Sequence, residues 1–262
     1  MDDRSRASDS PKTHPSIPTV DDLGLQACIH LAALVRAQEE RISVTPSGRL
    51  TLAVMVQLKT LGVIDAPWPE ARWNLEPRAE ITPMEGFQWL YTWAAYPRSS
   101  VYDAIIELIE SIKIDEMEGE WRIKLWQSLS VAEIEFYFRS QLVKHRFESD
   151  WATDIEFVYR ERRAAMSIAR WRYCCWAAVR HGASFSQQRA IPDPAMVRAA
   201  IYSELRRRAE QLASGAWPEC SFSPSSPRPM NALGRLFVEL LSRHQHAFWS
   251  LPASDAGLSA QY

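Results

Sequence analysis

Nine glycines and five lysines are all that the 262 residues contain of those two types, and the four cysteines form no CxxC pair. So few glycines leave no obvious phosphate-cradling loop, and neither GxxxxGK[ST] nor GxGxxG occurs. HExxH and GxSxG are missing as well, which removes the best-defined metalloprotease and hydrolase signatures. Cys174 and Cys175 are neighbours, and neighbours on a helix point about 100° apart, too far to join one local metal site. The four cysteines (Cys28, Cys174, Cys175 and Cys220) are therefore expected as reduced, mostly buried thiols, with no metal and no cofactor. No apolar run approaches the roughly 20 residues of a membrane span. Residues 1–22 are polar, with prolines at 11, 15 and 18, unlike a signal peptide. A cytoplasmic chain with no membrane partner is the expectation.

What the chain does have is 47% hydrophobic residues, 24% charged residues and eleven tryptophans, enough bulk for a large core. Arginine outnumbers lysine by 25 to 5. Residues 1–150 carry 16 basic against 23 acidic side chains, and residues 151–262 carry 14 against 9. Such asymmetry points to two surfaces that dock on each other or to an anion-facing C-terminal half.

The patterning is helical nearly throughout. Leu23–Arg41 places Leu23, Ala27, Leu31 and Leu34 at helical spacing, and Thr45-Pro46-Ser47-Gly48 marks a turn before a second helix, Arg49–Leu61, with Gly62 as its C-cap. Short strands are expected at Arg72–Glu76 and Ala79–Ile81. Capping boxes at Thr82–Glu85, Ser100–Asp103, Ser130–Glu133 and Thr153–Glu156 predict helix starts, the third helix running to Phe147 and the fourth to His181. Asp193-Pro194 opens a helix to about Ala213, and a last helix spans about Asn231–Trp249. The fold class expected is mostly α, a multi-helix bundle with at most one short β-hairpin. It divides into a disordered leader (1–20), a winged-helix-like unit (21–81), a helical bundle (82–250) and a disordered tail (251–262).

In the winged-helix reading Arg49–Leu61 is the reading helix. Leu52, Val56 and Leu61 face the core with Leu58 beside them, Arg49, Thr51, Gln57 and Lys59 face outward, and Arg72 and Arg78 sit near the wing. A second candidate surface lies further on. If Thr153–His181 is one helix, Arg160, Arg163, Ser167 and Arg170 share a face, and the helix from 194 adds Arg206, Arg207 and Arg208. Arginines on rigid helices suit phosphate contacts. The competing reading pairs them with the acidic stretch 103–120, which holds seven carboxylates and Lys113 alone. Asp103, Glu107 and Glu110 also share a helix face, the spacing of a carboxylate metal site and equally of an acidic surface helix. Arg139 and His145 could serve a helical ribonuclease, one holding phosphate and the other exchanging a proton, but six positions set them about 120° apart. His244 and His246 fall on nearly opposite faces. The leading expectation is a non-enzymatic protein that contacts nucleic acid phosphates through Arg160, Arg163, Arg170, Arg206, Arg207, Arg49 and Lys59. A protein-protein adaptor is the alternative.

Overall fold

Two local devices set the first helices. The computed structural model describes residues 23–65, 89–92, 98–111, 119–162, 166–188, 193–216, 220–222, 224, 229–241 and 245–259. Helix α1 (Leu25–Glu40) stops where Arg41 turns left-handed at φ 54°. The turn that follows is held by the Thr45 hydroxyl, which donates to the Ser47 carbonyl at 2.7 Å, and Ser47 then caps α2 (Gly48–Thr60) by accepting from the Leu50 N–H. At the far end Gly62 takes φ 71°. Its N–H reaches the Lys59 carbonyl and that of Val63 reaches Leu58, both at 2.9 Å, so the last carbonyls of α2 are satisfied as the sequence predicts.

The chain next forms β1 (Ile64–Asp65), antiparallel to β2 (Leu90–Tyr91), with Ile64 opposite Tyr91. The strands expected at 72–76 and 79–81 lie outside the described residues, as do the Thr82 box and Arg78. Helices α3 (Arg98–Ser111), α4 (Gly119–Lys144), α5 (Ile155–Arg162), α6 (Ile168–Gln187), α7 (Pro194–Ala213), α8 (Ala232–Leu236), α9 (Gln245–Ser250) and α10 (Asp255–Ser259) complete the described elements. The fold is mostly α, with ten α-helices and one two-stranded hairpin among the described residues. No described helix is long and apolar enough to cross a membrane.

Several helix boundaries differ from the sequence reading. Ser130 opens no helix: α4 begins eleven residues earlier, and the Ser130 hydroxyl folds back on the Trp126 carbonyl at 2.7 Å, which satisfies it inside the helix. The expected continuous helix from Thr153 to His181 is two helices. A 3-10 turn over Ser149–Asp154 leads into α5, and a fresh start at Ser167 caps α6 through its hydroxyl on the Arg170 N–H. Asp193 caps α7 with Pro194 in its first turn, and α7 ends at Ala213, both as expected. Asn231 caps α8, but the helix passes into a π-helical turn over Phe237–Leu241 instead of running on unbroken.

One continuous core runs from Ala27 to Ala253. Much of α1 lies in it, with every residue from Ala27 to Ala37 buried, His30 and Arg36 included. The α8 segment is clipped onto the end of α1. Ala232 and Leu233 donate to the carbonyls of Ser43 and Val44 at 2.8 and 2.9 Å, and Arg36 bridges Glu40 (2.8 Å) and Glu239 (2.5 Å). The buried face of α2 is Thr51, Leu52, Val54, Met55 and Leu58. This corrects the sequence reading: Leu61, assigned to the core, is 43% exposed, and Thr51, assigned to the surface, shares a hydrogen bond with Thr45 in the interior. Helices α6 and α7 pack tightly at Gly182, where a Cβ would stand 2.2 Å from Ile201 Cγ1. The thiols of Cys28, Cys174 and Cys175 are buried and that of Cys220 is partly so, and burial pushes Cys28 up to about 11 and Cys174 up to about 12. Protonated thiols are poor nucleophiles.

Candidate anion-binding surface

Arg160 sits one turn after Glu156 on α5, the i,i+4 spacing that lets the two side chains meet, and the pair closes at 2.5 Å. Arg49, in the first turn of α2 and far off in the chain, reaches the other oxygen of the same carboxylate. Its second guanidinium nitrogen stands 3.8 Å from Glu135 on α4, which Arg139 holds from one turn further at 3.1 Å. The result is a ladder of alternating sign, Arg160–Glu156–Arg49–Glu135–Arg139, that ties three helices together and has one more cation than anion. Burial acts to raise the Glu156 pKa, but the Arg49 and Arg160 charges overcome it and hold the carboxyl below its usual range.

This ladder edges a groove of about 730 Å³ between α2, α4 and α5. Lys124 enters from the α4 side with Gln127 and Ser128, Tyr159 forms part of the wall, and among the described residues Glu156 is the sole carboxylate in the lining. Arg49, Lys124 and Arg160 therefore leave the lining with an excess of two positive charges. Arg160 is 66% exposed along its side chain, and Lys124, which pairs with exposed Glu120, is equally open. Two carboxylates fix the arginine geometry while guanidinium edges remain turned to water, and preorganised donors of this kind suit an oxyanion.

The remaining predicted residues are placed elsewhere. Lys59 pairs with Asp65 at 2.7 Å, away from the groove. Arg163 is outside the described residues. Arg170 lies half-buried in the first turn of α6, so the break before Ser167 removes the shared helix face on which the Arg160–Arg170 stripe was built. Arg207 forks onto Glu204, both bonds at 2.7 Å, and reaches Gln211. Arg206 lines a second hollow of about 650 Å³ on the other side of α5, with Trp151, Phe157, Arg198 and Tyr202. Arg139 is held by Glu135, while His145 stacks on Phe147 beyond the end of α4 at 6.5 Å.

Many of the arginines are matched from within the molecule, and among the described residues none of these pairs uses the stretch 103–120. Asp103, Glu107 and Glu110 pair with no arginine among the described residues. The partners among the described residues include Glu40, Glu135, Asp154, Glu156, Glu204, Glu210 and Glu239. Lys124 and Glu135 escaped the sequence reading because nothing in their local spacing ties them to Arg49. The i,i+4 spacings of Glu156–Arg160, Glu135–Arg139 and Glu120–Lys124 were the available local signals. No protein-family model matches the chain, and neither a curated protein nor a solved structure matches it.

Proposed function

We propose that this chain is a non-enzymatic, nucleic-acid-associated binding protein that holds phosphates in the groove of Arg49, Lys124 and Arg160. One observation carries the reading: three cations from three different helices converge on a groove whose lining, among the described residues, has a single carboxylate. Each phosphate neutralised there releases counterions, so affinity falls steeply with salt. The order α1, α2, β1, β2 fits a winged-helix-like unit, with the start of α2 presenting Arg49 to the ligand. A cytoplasmic setting belongs to the same reading. The test is binding of a labelled oligonucleotide across a salt series by wild type and by the double variant Lys124→Glu/Arg160→Glu. Both side chains are exposed, so the fold should persist by circular dichroism. The variant is expected to bind at least tenfold more weakly, with a salt slope reduced by about two. Unchanged affinity or an unchanged slope refutes the proposal.

A protein-protein adaptor is the second reading, and the second hollow favours it. Phe157 (67% exposed) stands open there beside Trp151, Arg198 and Tyr202, residue types that dominate protein interfaces. Glu148 and Asp154 in the same lining disfavour a polyanion there. A complex that survives high salt and is lost in Phe157→Asp is its expected signature.

A further inference from the structure

The face where α6 meets α7 carries an aromatic trio that neither reading above uses. Tyr173 and Trp176 lie on α6 with ring centroids 6.1 Å apart, and Phe222 meets both edge-on at 5.5 and 5.1 Å. Phe222 is fixed there by its N–H on the Ala169 carbonyl at 2.9 Å. Two guanidinium groups cover the trio. Arg180 lies 4.7 Å from the Trp176 ring centroid, and Arg208 lies 5.7 Å from that of Tyr173 while donating to its hydroxyl at 3.0 Å. A hollow of about 260 Å³ opens between Trp176, Ala177, Arg180, His181, Ser184 and Arg208.

This hollow departs from the charge-matching seen on the rest of the surface. Among the described residues no carboxylate lines it. Arg208 is anchored from behind by Glu204 at 2.6 Å, but Arg180 is exposed and makes no ion pair among the described residues. His181 and Ser184 are exposed beside it. A flat cation laid on an indole extends the stacking surface by one layer, since both guanidinium planes and aromatic rings accept a base face to face. Bases inside a duplex have their faces covered by their neighbours, so a site built from ring faces admits only an unpaired base.

We infer that this hollow binds one nucleotide with an unpaired base, the base stacking on the Trp176–Arg180 pair and the phosphate facing Arg208 and His181. The choice of ligand class rests on the phosphate-binding reading above. That chemistry has two sources, a residue of a single strand or a free mononucleotide, and the strand is the one consistent with the groove. The experiment measures fluorescence anisotropy of a labelled strand of about 12 nucleotides and of its duplex, together with calorimetry of a nucleoside monophosphate. Wild type is compared with Trp176→Ala, Trp176→Phe and Arg180→Ala, and melting curves check each fold. Trp176→Ala is expected to weaken strand binding about tenfold or more with an unchanged salt slope, to leave duplex binding within twofold, and to be largely rescued by Trp176→Phe. Should Trp176→Ala melt early, Arg180→Ala, a change at an exposed side chain, is expected to show the same strand-specific loss. Monophosphate binding that requires Trp176 also supports the site and identifies a free nucleotide as the ligand. Strand binding that is salt-dependent but equal in wild type, Trp176→Ala and Arg180→Ala overturns this inference and leaves the groove reading standing. If wild type binds neither strand nor duplex, the groove reading falls, and this site falls with it unless the monophosphate binds through Trp176.

Discussion

Replacing Glu133 by glutamine is expected to tilt the pH profile of stability. Glu133 is buried in α4, accepts a hydrogen bond from Asn231 Nδ2 at 2.9 Å and faces the Arg172 guanidinium, which stacks 4.2 Å from the Tyr137 ring centroid. Burial raises its pKa from 4.5 to about 7, and the Arg172 charge offsets this only in part. The folded state therefore keeps the proton that the unfolded chain gives up, and stability falls as pH climbs from 4.5 toward 7. His30 works in the opposite sense. Buried in α1 with Nδ1 2.8 Å from Gln57 Oε1, it is depressed from 6.5 to about 4 by burial, so the folded state stays neutral while the unfolded chain protonates. Stability then rises with pH between 4 and 6.5. Each slope is about 1.4 kcal/mol per pH unit, and in the overlap, pH 4.5 to 6.5, the two nearly cancel. Glu133→Gln keeps an acceptor for Asn231 and removes the falling slope. From about pH 5 to pH 6.5 the variant is expected to gain roughly 2 kcal/mol relative to wild type. His30→Gln is expected to lose about as much over the same interval. Urea unfolding followed by tryptophan fluorescence measures both. A Glu133→Gln difference from wild type that stays constant within about 0.5 kcal/mol across that interval refutes the reasoning.

Asn231 both caps α8, through its side-chain oxygen on the Gly234 N–H at 2.7 Å, and donates to Glu133. Asn231→Ala is expected to cost about 1–2 kcal/mol for the cap and further for the orphaned carboxylate, and a loss below about 0.5 kcal/mol in urea unfolding contradicts this double role. Gly182→Ala is expected to destabilise by about 1–3 kcal/mol because the new methyl meets Ile201 Cγ1, and melting of Gly182→Ala/Ile201→Ala should recover part of that loss; strictly additive effects refute the contact.

How much was legible beforehand followed the range of the interactions involved. Ser47, Gly62, Asp193-Pro194 and Asn231 end or start helices by bonds to residues within five positions, so sequence spacing reveals them. The Glu156–Arg160 pair is of the same local kind. Ser130 misled because a serine that opens a helix and one that folds back on the carbonyl four residues earlier have the same local sequence.

By itself the sequence determined a mostly helical chain with buried thiols, and it determined which arginines were worth following. It did so because periodicity, caps and burial preference are set by each residue and its near neighbours. Only the tertiary structure decided what those arginines meet. Arg49 reaches Glu156 and Glu135 across three helices, α6 starts afresh at Ser167, and the 64–65 strand pairs with 90–91. Those outcomes depend on which helix faces share one core, and many arrangements of the same amphipathic pieces satisfy the local rules equally well.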